Sequence, residues 1–259
     1  IVGRCPDQLR LPFALWTREA VQQLLVQRCG LEVSVWTVGR YLKQWNLTPQ
    51  KPLRRAYEQD PVAVKRWLEE EYPAIHARAR RAGAEIHWGD EMGLRSDHQA
   101  GRSYGRRGQT PVIPGTGQRF RCNVISTLTN RGDLAFMVFR EGFTTAVFVR
   151  FLKRLLRHRR GRKLFLILDR HPVHKSHALQ RWLAAQGERL TLFFLPGYSP
   201  ELNPDELLNQ DVKTNALGRR RPSDLGELMR DTRGYLRSTQ KQPAIVRHYF
   251  LEKHVRYAA

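Results

Sequence analysis

Cysteine is nearly absent: Cys5, Cys29 and Cys122 are the only three in 259 residues, and no two form a Cys-x-x-Cys pair. That scarcity gives no case for a disulfide framework or a cysteine-based zinc site, and it fits a reducing cytosol. Acid is scarce too. Asp and Glu number 24 against 45 Lys and Arg, a net charge of +21. An imbalance of this size, spread along the whole chain, implies a polyanionic partner. Membrane surface is the competing polyanion, but no apolar run approaches the length that spans a bilayer, and no signal-peptide pattern is found. A cytoplasmic, nucleoid-associated protein with no membrane partner is therefore expected. The Gly-, Arg- and Pro-rich stretch 101–117 lacks the GxxxxGK[ST] pattern of a nucleotide-binding loop and reads as an irregular segment that touches DNA. What the chain does contain is aromatic residues, 6 Trp, 8 Tyr and 11 Phe, which exclude a disordered basic tail. Its length buries a real core in one large domain or two unequal ones.

The most informative stretch is Tyr198-Ser199-Pro200-Glu201-Leu202-Asn203-Pro204-Asp205-Glu206. It follows an apolar run, 190–195, that reads as a buried strand, and it opens a helix over 207–217. Each X-Pro step disfavours helix for the preceding residue, so the prolines make the turn. Asn203 suits the N-cap and Pro204 the first helical position, which puts Asp205 and Glu206 in the first turn. The helix dipole alone accounts for both acids. A rigid turn that aims one carboxylate at a fixed point is the sharper reading.

Two other acids stand at similar boundaries. Asp90 ends a short strand, 84–90, and Asp169 ends the apolar run 163–168, which fits a strand covered on both faces. Open strand ends are where α/β sheets place their sites, and clustered carboxylates suit metal ions that prefer oxygen ligands.

With these motifs the chain resembles the DDE transposases of the mariner superfamily, insertion-sequence branch, from about Trp16 onward. The family's third acid is the Glu of an Asn-Pro-x-Glu element, which falls on Glu206 rather than Asp205. The second acid usually precedes Asn and is followed by a His. Here Asp169 precedes Arg170, His174 follows, and 36 residues separate Asp169 from Glu206, close to the family's usual spacing. The resemblance implies a ribonuclease H-like mixed-sheet catalytic core preceded by a small all-α (winged) helix-turn-helix domain. It also implies Asp90, Asp169 and Glu206 as catalytic residues and metal ligands for two Mg²⁺ ions, for which Mn²⁺ substitutes. Further implications are cleavage at a transposon end to free a 3′-hydroxyl, attack of that hydroxyl on target DNA at TA, and no covalent enzyme–DNA intermediate. A homodimer in a synaptic complex with double-stranded DNA, both transposon ends and target, is the expected assembly. The alternative is a catalytically silent helix-turn-helix regulator derived from a transposase, which retention of all three acids disfavours. A nuclease of the same fold acting on RNA–DNA hybrids is disfavoured by the N-terminal helices and the Asn-Pro-Asp-Glu turn.

Taken in order, the chain divides into 1–57 (DNA binding), 58–83 (a linking helix), 84–218 (catalysis) and 219–259 (a basic helical tail). Ile1 in place of Met leads to the expectation of an upstream segment, with 1–57 then the second half of a bipartite region. Thr17 and Ser34 each start a helix, and a Gly-containing link joins the two. The pair reads as a helix-turn-helix or as an ordinary helical hairpin. In the second helix Val35, Val38, Leu42 and Trp45 face inward, while Thr37, Arg40, Lys43 and Gln44 face out. That polar, basic face favours DNA reading, and the family's units of this kind recognise terminal inverted repeats. Lys51, Arg54 and Arg55 lie in a proline-punctuated stretch suited to following a phosphate backbone. Asp60 starts another helix, which Pro73 interrupts.

An amphipathic helix over 144–158 opens a run, 150–163, in which eight of fourteen residues are Lys or Arg and none is acidic. This shifts Arg154 and Arg157 toward phosphate contact, and Lys213 and His174 join them as candidates. His171, His174 and His177 sit three apart, but no Cys or further His accompanies them in sequence to complete a zinc site. Strand alternation turns Glu91 away from Asp90, and Asp205 reads as a partner of the helix dipole.

Overall fold

A computed structural model describes the chain apart from residues 1–2, 51–55, 98–103, 105, 113–116 and 219–221. The chain divides into two units, Ile1–Arg54 and Arg55–Ala259. Lys51, Arg54, Arg55, the start of the basic tail and much of the stretch 101–117 lie outside the described residues.

In the first unit, helix α1 (Arg18–Cys29) and helix α2 (Val35–Gln44) form a helical pair. Thr17 and Ser34 cap them by accepting from Ala20 N at 3.2 Å and Thr37 N at 3.1 Å. Gly30 closes α1 in the left-handed conformation (φ +64°), and Gln22 Nε2 donates to Val33 O at 2.7 Å to fasten the link. Ala20, Val21 and Val38 are the buried contacts, with Val35 and Leu42 half-buried. Trp45 departs from the expected inward stripe. It follows the last helical residue, is exposed, and stacks on Tyr41 at 5.9 Å. The described residues of this unit contain no strand.

The second unit opens with α3 (Pro61–Arg66), capped by Asp60, and α4 (Tyr72–Ala82). Pro73 does not break the helical path. A π-helical stretch, Trp67–Glu71, precedes it, and the wider turn accommodates the missing N–H. Strands β1 (Ala84–Arg95), β2 (Arg121–Leu128) and β3 (Leu134–Phe139) form an antiparallel meander. Helix α5 (Thr145–His158) then crosses to β4 (Lys163–Leu168), and α6 (His177–Ala184) to β5 (Leu190–Phe194). Both of these strands run parallel to β1, giving the sheet order β3-β2-β1-β4-β5. This mixed sheet is the ribonuclease H-like arrangement expected from the resemblance.

Residue parity along the strands sends alternate side chains into two layers. Trp88, Met92, Phe165 and Ile167 pack under α4, α7 (Asp205–Asp211), α8 (Leu225–Gln240) and α9 (Pro243–Tyr249). Leu164, Leu166 and Leu168 pack under α5 and α6, with Phe148, Phe151, Leu152 and Leu179. Trp67 and Tyr72, in the segment 58–83, and Leu228, Leu236 and Phe250, in the tail, belong to the first of these cores. Among the described residues no helix is long and apolar enough to cross a membrane.

Candidate active site

The middle of β1, the ends of β4 and β5 and one helix start meet at a cavity of 380 Å³ lined by Asp90, Asp169 and Glu206, with Arg170, His171, Asn203 and the loop 195–200. Asp90 does not end its strand as expected, because pairing with β2 carries β1 on to Arg95. Register brings the first two acids together. Trp88 pairs with Ile167 in the parallel β1–β4 ladder, so Asp90 and Asp169 each lie two residues beyond the same rung. Gly89 permits the close approach here, since a Cβ would meet Leu168 Cδ2 and Thr127 Cγ2 at 3.0 Å and Ser126 O at 3.2 Å. Asn203 supplies the third link. Its Nδ2 donates to Gly89 O at 3.0 Å, and its Oδ1 accepts from Asp205 N at 3.1 Å. One side chain therefore caps α7 and docks that helix start on the first strand.

The loop before α7 is held from the other side. Gln59 Nε2 lies 3.2 Å from Tyr198 O, 3.2 Å from Ser199 Oγ and 2.6 Å from Glu201 Oε1. Tyr198 adopts φ +55°, which costs energy for an aromatic residue, yet its ring is 62% exposed at the cavity rim. Arg170, where the resembling family has Asn, donates from Nε to Leu195 O at 2.9 Å and ties the ends of β4 and β5.

Negative charge is crowded here. Asp90 is 8% exposed and accepts from Asn209 Nδ2 at 2.7 Å. Burial pushes its carboxyl well above the ordinary value, and the charges of Glu206, Asp205, Glu91 and Asp169 push it further. Burial likewise pushes Glu91 up to about 7, with the Asp169 charge adding to it. Asp169 is different. Burial raises its carboxyl, but the His174 hydrogen bond, the His171 N–H and both imidazoles outweigh that and hold it below the usual range.

Asp205 stands in the first turn of α7, as a dipole partner does, but it has a further contact. It is fully buried, and Ser126 Oγ lies 3.0 Å from each of its carboxylate oxygens. Burial raises its carboxyl well above the ordinary value against the pull of that hydroxyl. Asp90 faces Ser126 across the β1–β2 ladder, so Asp205 sits behind Asp90. Ser126→Ala is expected to cost about 1–3 kcal/mol by leaving a buried carboxylate short of donors. Urea unfolding measures this, and an unchanged midpoint would remove the role given to the hydroxyl.

The sequence profile described as "DDE superfamily endonuclease" matches residues 85–229, more than half of the chain. The chain belongs to the DDE superfamily endonucleases. A second profile, "Winged helix-turn helix", matches residues 12–71. This DDE endonuclease thus has the build of a DDE transposase with an N-terminal helix-turn-helix. It is 23% identical over 246 residues to an uncharacterised 39 kDa protein of insertion element IS630 from Shigella sonnei, covering 94% of this chain and 70% of the relative. Two solved structures share its fold. The Mos1 strand transfer complex has a TM-score of 0.61 at 15% identity, covering 94% of this chain and 79% of that one. The Mos1 mariner paired end complex with Mn has a TM-score of 0.61 at 14% identity, covering 96% and 82%.

The other sequence candidates of this DDE endonuclease fall elsewhere. Arg40, Lys43 and Gln44 are exposed on α2, and Thr37 is half-buried, bonded to Ser34 and Arg40. Arg154 and Arg157 are exposed on α5 and Lys213 is half-buried; none of the three lines the acid cavity. Arg154 instead lines a groove along β3 with Arg159, Arg233 and Arg237. His174 is not placed to meet a phosphate, because it is fully buried behind Asp169. His177 is exposed at the start of α6, so the three histidines do not converge. Among the described residues the metal-capable cluster is Glu91, Asp169 and His174, with ligand atoms within 4.8 Å of one another. Asn209 was legible only as the residue four beyond Asp205, one helical turn along the same face. Ser126 gave no sequence signal.

Proposed function

We propose that this DDE endonuclease is a transposase that binds the inverted repeats of an insertion sequence, cleaves the ends and joins the freed 3′-hydroxyl to target DNA, at TA. The observation that carries this reading is the convergence of Asp90, Asp169 and Glu206 on one cavity of a ribonuclease H-like core. The donor set fits divalent cations. The carboxylates are mutually repulsive, and Asp90 is driven toward its neutral form by burial and by its acidic neighbours. Mg²⁺, with Mn²⁺ as substitute, prefers such oxygen ligands, and Asp90, Asp169 and Glu206 would hold two ions. When bound, the ions activate the attacking oxygen and stabilise the leaving one.

The chain's own residues fix the geometry. Asn203 and Asn209 hold the α7 start and the Asp90 carboxylate in register with the strand ends. In the first step water attacks phosphorus and the bond to the transposon's 3′-oxygen breaks, leaving a 3′-hydroxyl and a 5′-phosphate on the flanking strand. In the second, that hydroxyl loses its proton, attacks a target phosphorus and displaces the target's own 3′-oxygen.

Residues 1–57 would read the repeats through Thr37, Arg40, Lys43 and Gln44, with Lys51, Arg54 and Arg55 following phosphates. Residues 58–83 would link this region to the catalytic segment 84–218, and 219–259 would add a basic tail. The net charge of +21 supports a DNA partner, which would place the protein in the cytoplasm at the nucleoid, and the paired-end structures of Mos1 support a homodimer. Arg154, Arg157 and Lys213 remain proposed phosphate contacts.

Cleavage of a labelled inverted-repeat end by wild type and Asp169→Ala, with Mg²⁺ or EDTA, tests the reading. Metal-dependent cleavage lost in the variant, with binding intact, is expected. Tight binding without cleavage under any divalent ion would favour a silent regulator. Arg40→Ala is expected to abolish preference for the end over random DNA in a gel-shift titration. Retained preference would remove the role given to α2.

A further inference from the structure

His174 has 0% exposure, and its ring packs against Phe148 at 4.7 Å and Phe143 at 5.7 Å, which also touch each other. Its Nδ1 is 3.1 Å from Asp169 Oδ1 and 3.3 Å from Asp169 O. Both of those oxygens only accept, so the hydrogen-bond partners assign the proton to Nδ1. On the far side of the ring Nε2 is 3.9 Å from Glu91 Oε2, and both atoms are buried with no hydrogen-bond partner among the described residues. Glu91 reaches this place because strand alternation turns it away from the layer that Asp90 faces.

The three acids are held very differently. Asp90 stands in a paired strand and is bonded to Asn209, and Glu206 starts a helix docked through Asn203. Asp169 lies past the last residue of β4, with a side chain 48% exposed. Among the described residues its carboxylate is bonded, apart from His174, to the backbone N–H of His171 alone, at 3.0 Å. A carboxylate so placed samples several rotamers unless a rigid donor fixes it.

We propose that His174 is a positioning residue that fixes the Asp169 carboxylate for metal binding. This rests on the reading of Asp169 as a metal-holding acid. The competing role for His174 is core packing against the two phenylalanines, and substitutions separate the two. Packing ranks Phe closest to wild type and Asn, which leaves a void, furthest. Positioning ranks them in the opposite order, because the Asn amide places a donor near the position of Nδ1. Gln places its donor further out, near Nε2.

Mn²⁺ binding to the full chain, followed by electron paramagnetic resonance, gives a readout independent of cleavage, and circular dichroism checks the fold of each variant. H174F and H174Q are expected to weaken Mn²⁺ binding about tenfold or more, and H174N to stay within about threefold of wild type. If H174F does not fold, H174Q carries the same expectation. H174F or H174Q binding Mn²⁺ like wild type, while D169N binds weakly, would overturn the positioning role and leave the metal site standing. Wild type and D169N binding alike would overturn the reading of Asp169 and this inference with it.

Discussion

Asp90→Asn is expected to lose metal-dependent cleavage by about a thousand-fold or more, a loss of about 4 kcal/mol in transition-state stabilisation, and yet to be more stable than wild type without metal. The two effects share a cause. Asp90 is buried among four other acids, so its charge costs folding energy that only a cation would offset. An amide is neutral and almost the same shape. Asn209 Oδ1, which has no partner among the described residues, can accept from it, so packing and hydrogen bonding survive the change.

The pH dependence follows from the raised carboxyl. The folded chain holds the Asp90 proton more tightly than the unfolded chain does. Stability in EDTA therefore falls as pH rises from the ordinary Asp value, about 3.9, through the elevated folded-state value. Asp90→Asn removes that part of the slope, so its advantage over wild type appears above the window and vanishes below it. Urea unfolding in EDTA across this range, beside cleavage of a labelled end, measures both effects. Wild-type cleavage by the variant, or a variant less stable than wild type at neutral pH, would refute this account of the site.

Divalent cations are expected to raise the melting temperature of the wild-type chain strongly. Ligand at a hundred times its dissociation constant stabilises by about 2.7 kcal/mol. For a unit of this size that is roughly 5–10 °C. The gain is large because binding both fills a site and removes repulsion among Asp90, Asp169, Asp205 and Glu206. Glu206→Gln is expected to cut the shift by more than half, while Glu227→Gln, on the first turn of α8 and outside the acid cavity, leaves it unchanged. Calorimetry with Mg²⁺ against EDTA decides the matter. Equal shifts in wild type and Glu206→Gln would place the ions elsewhere on the protein.

The sequence by itself determined a good deal. The apolar run 163–168 marked the strand before Asp169, because buried strands need continuous apolar side chains and their open ends do not; Asp90 reads as a strand end too, but pairing with β2 carries β1 past it to Arg95. Prolines and Asn203 marked the turn into Glu206, because these residues restrict the backbone locally. Thr17, Ser34, Asp60 and Thr144 marked helix starts, since a cap is a contact within a few residues of chain. All of these are local effects, which is why they can be read without a fold.

Tertiary structure decided the rest. Pro73 reads as a break, yet a π turn beneath a packed aromatic cluster carries the helix past it. Trp45 reads as core and lies exposed, because burial depends on what a neighbouring element offers. Asp205 reads as a partner of the helix dipole, and only the fold makes it the most buried acid of the site, since Ser126 meets it from a strand 79 positions away. His174 reads as a phosphate contact and is sealed behind Asp169 by Phe148 and Phe143. Parity along β1 turns Glu91 from Asp90, but only the docking of β4 and the turn after it brings that carboxylate to His174. Such pairings depend on the register between distant segments, which no local propensity encodes.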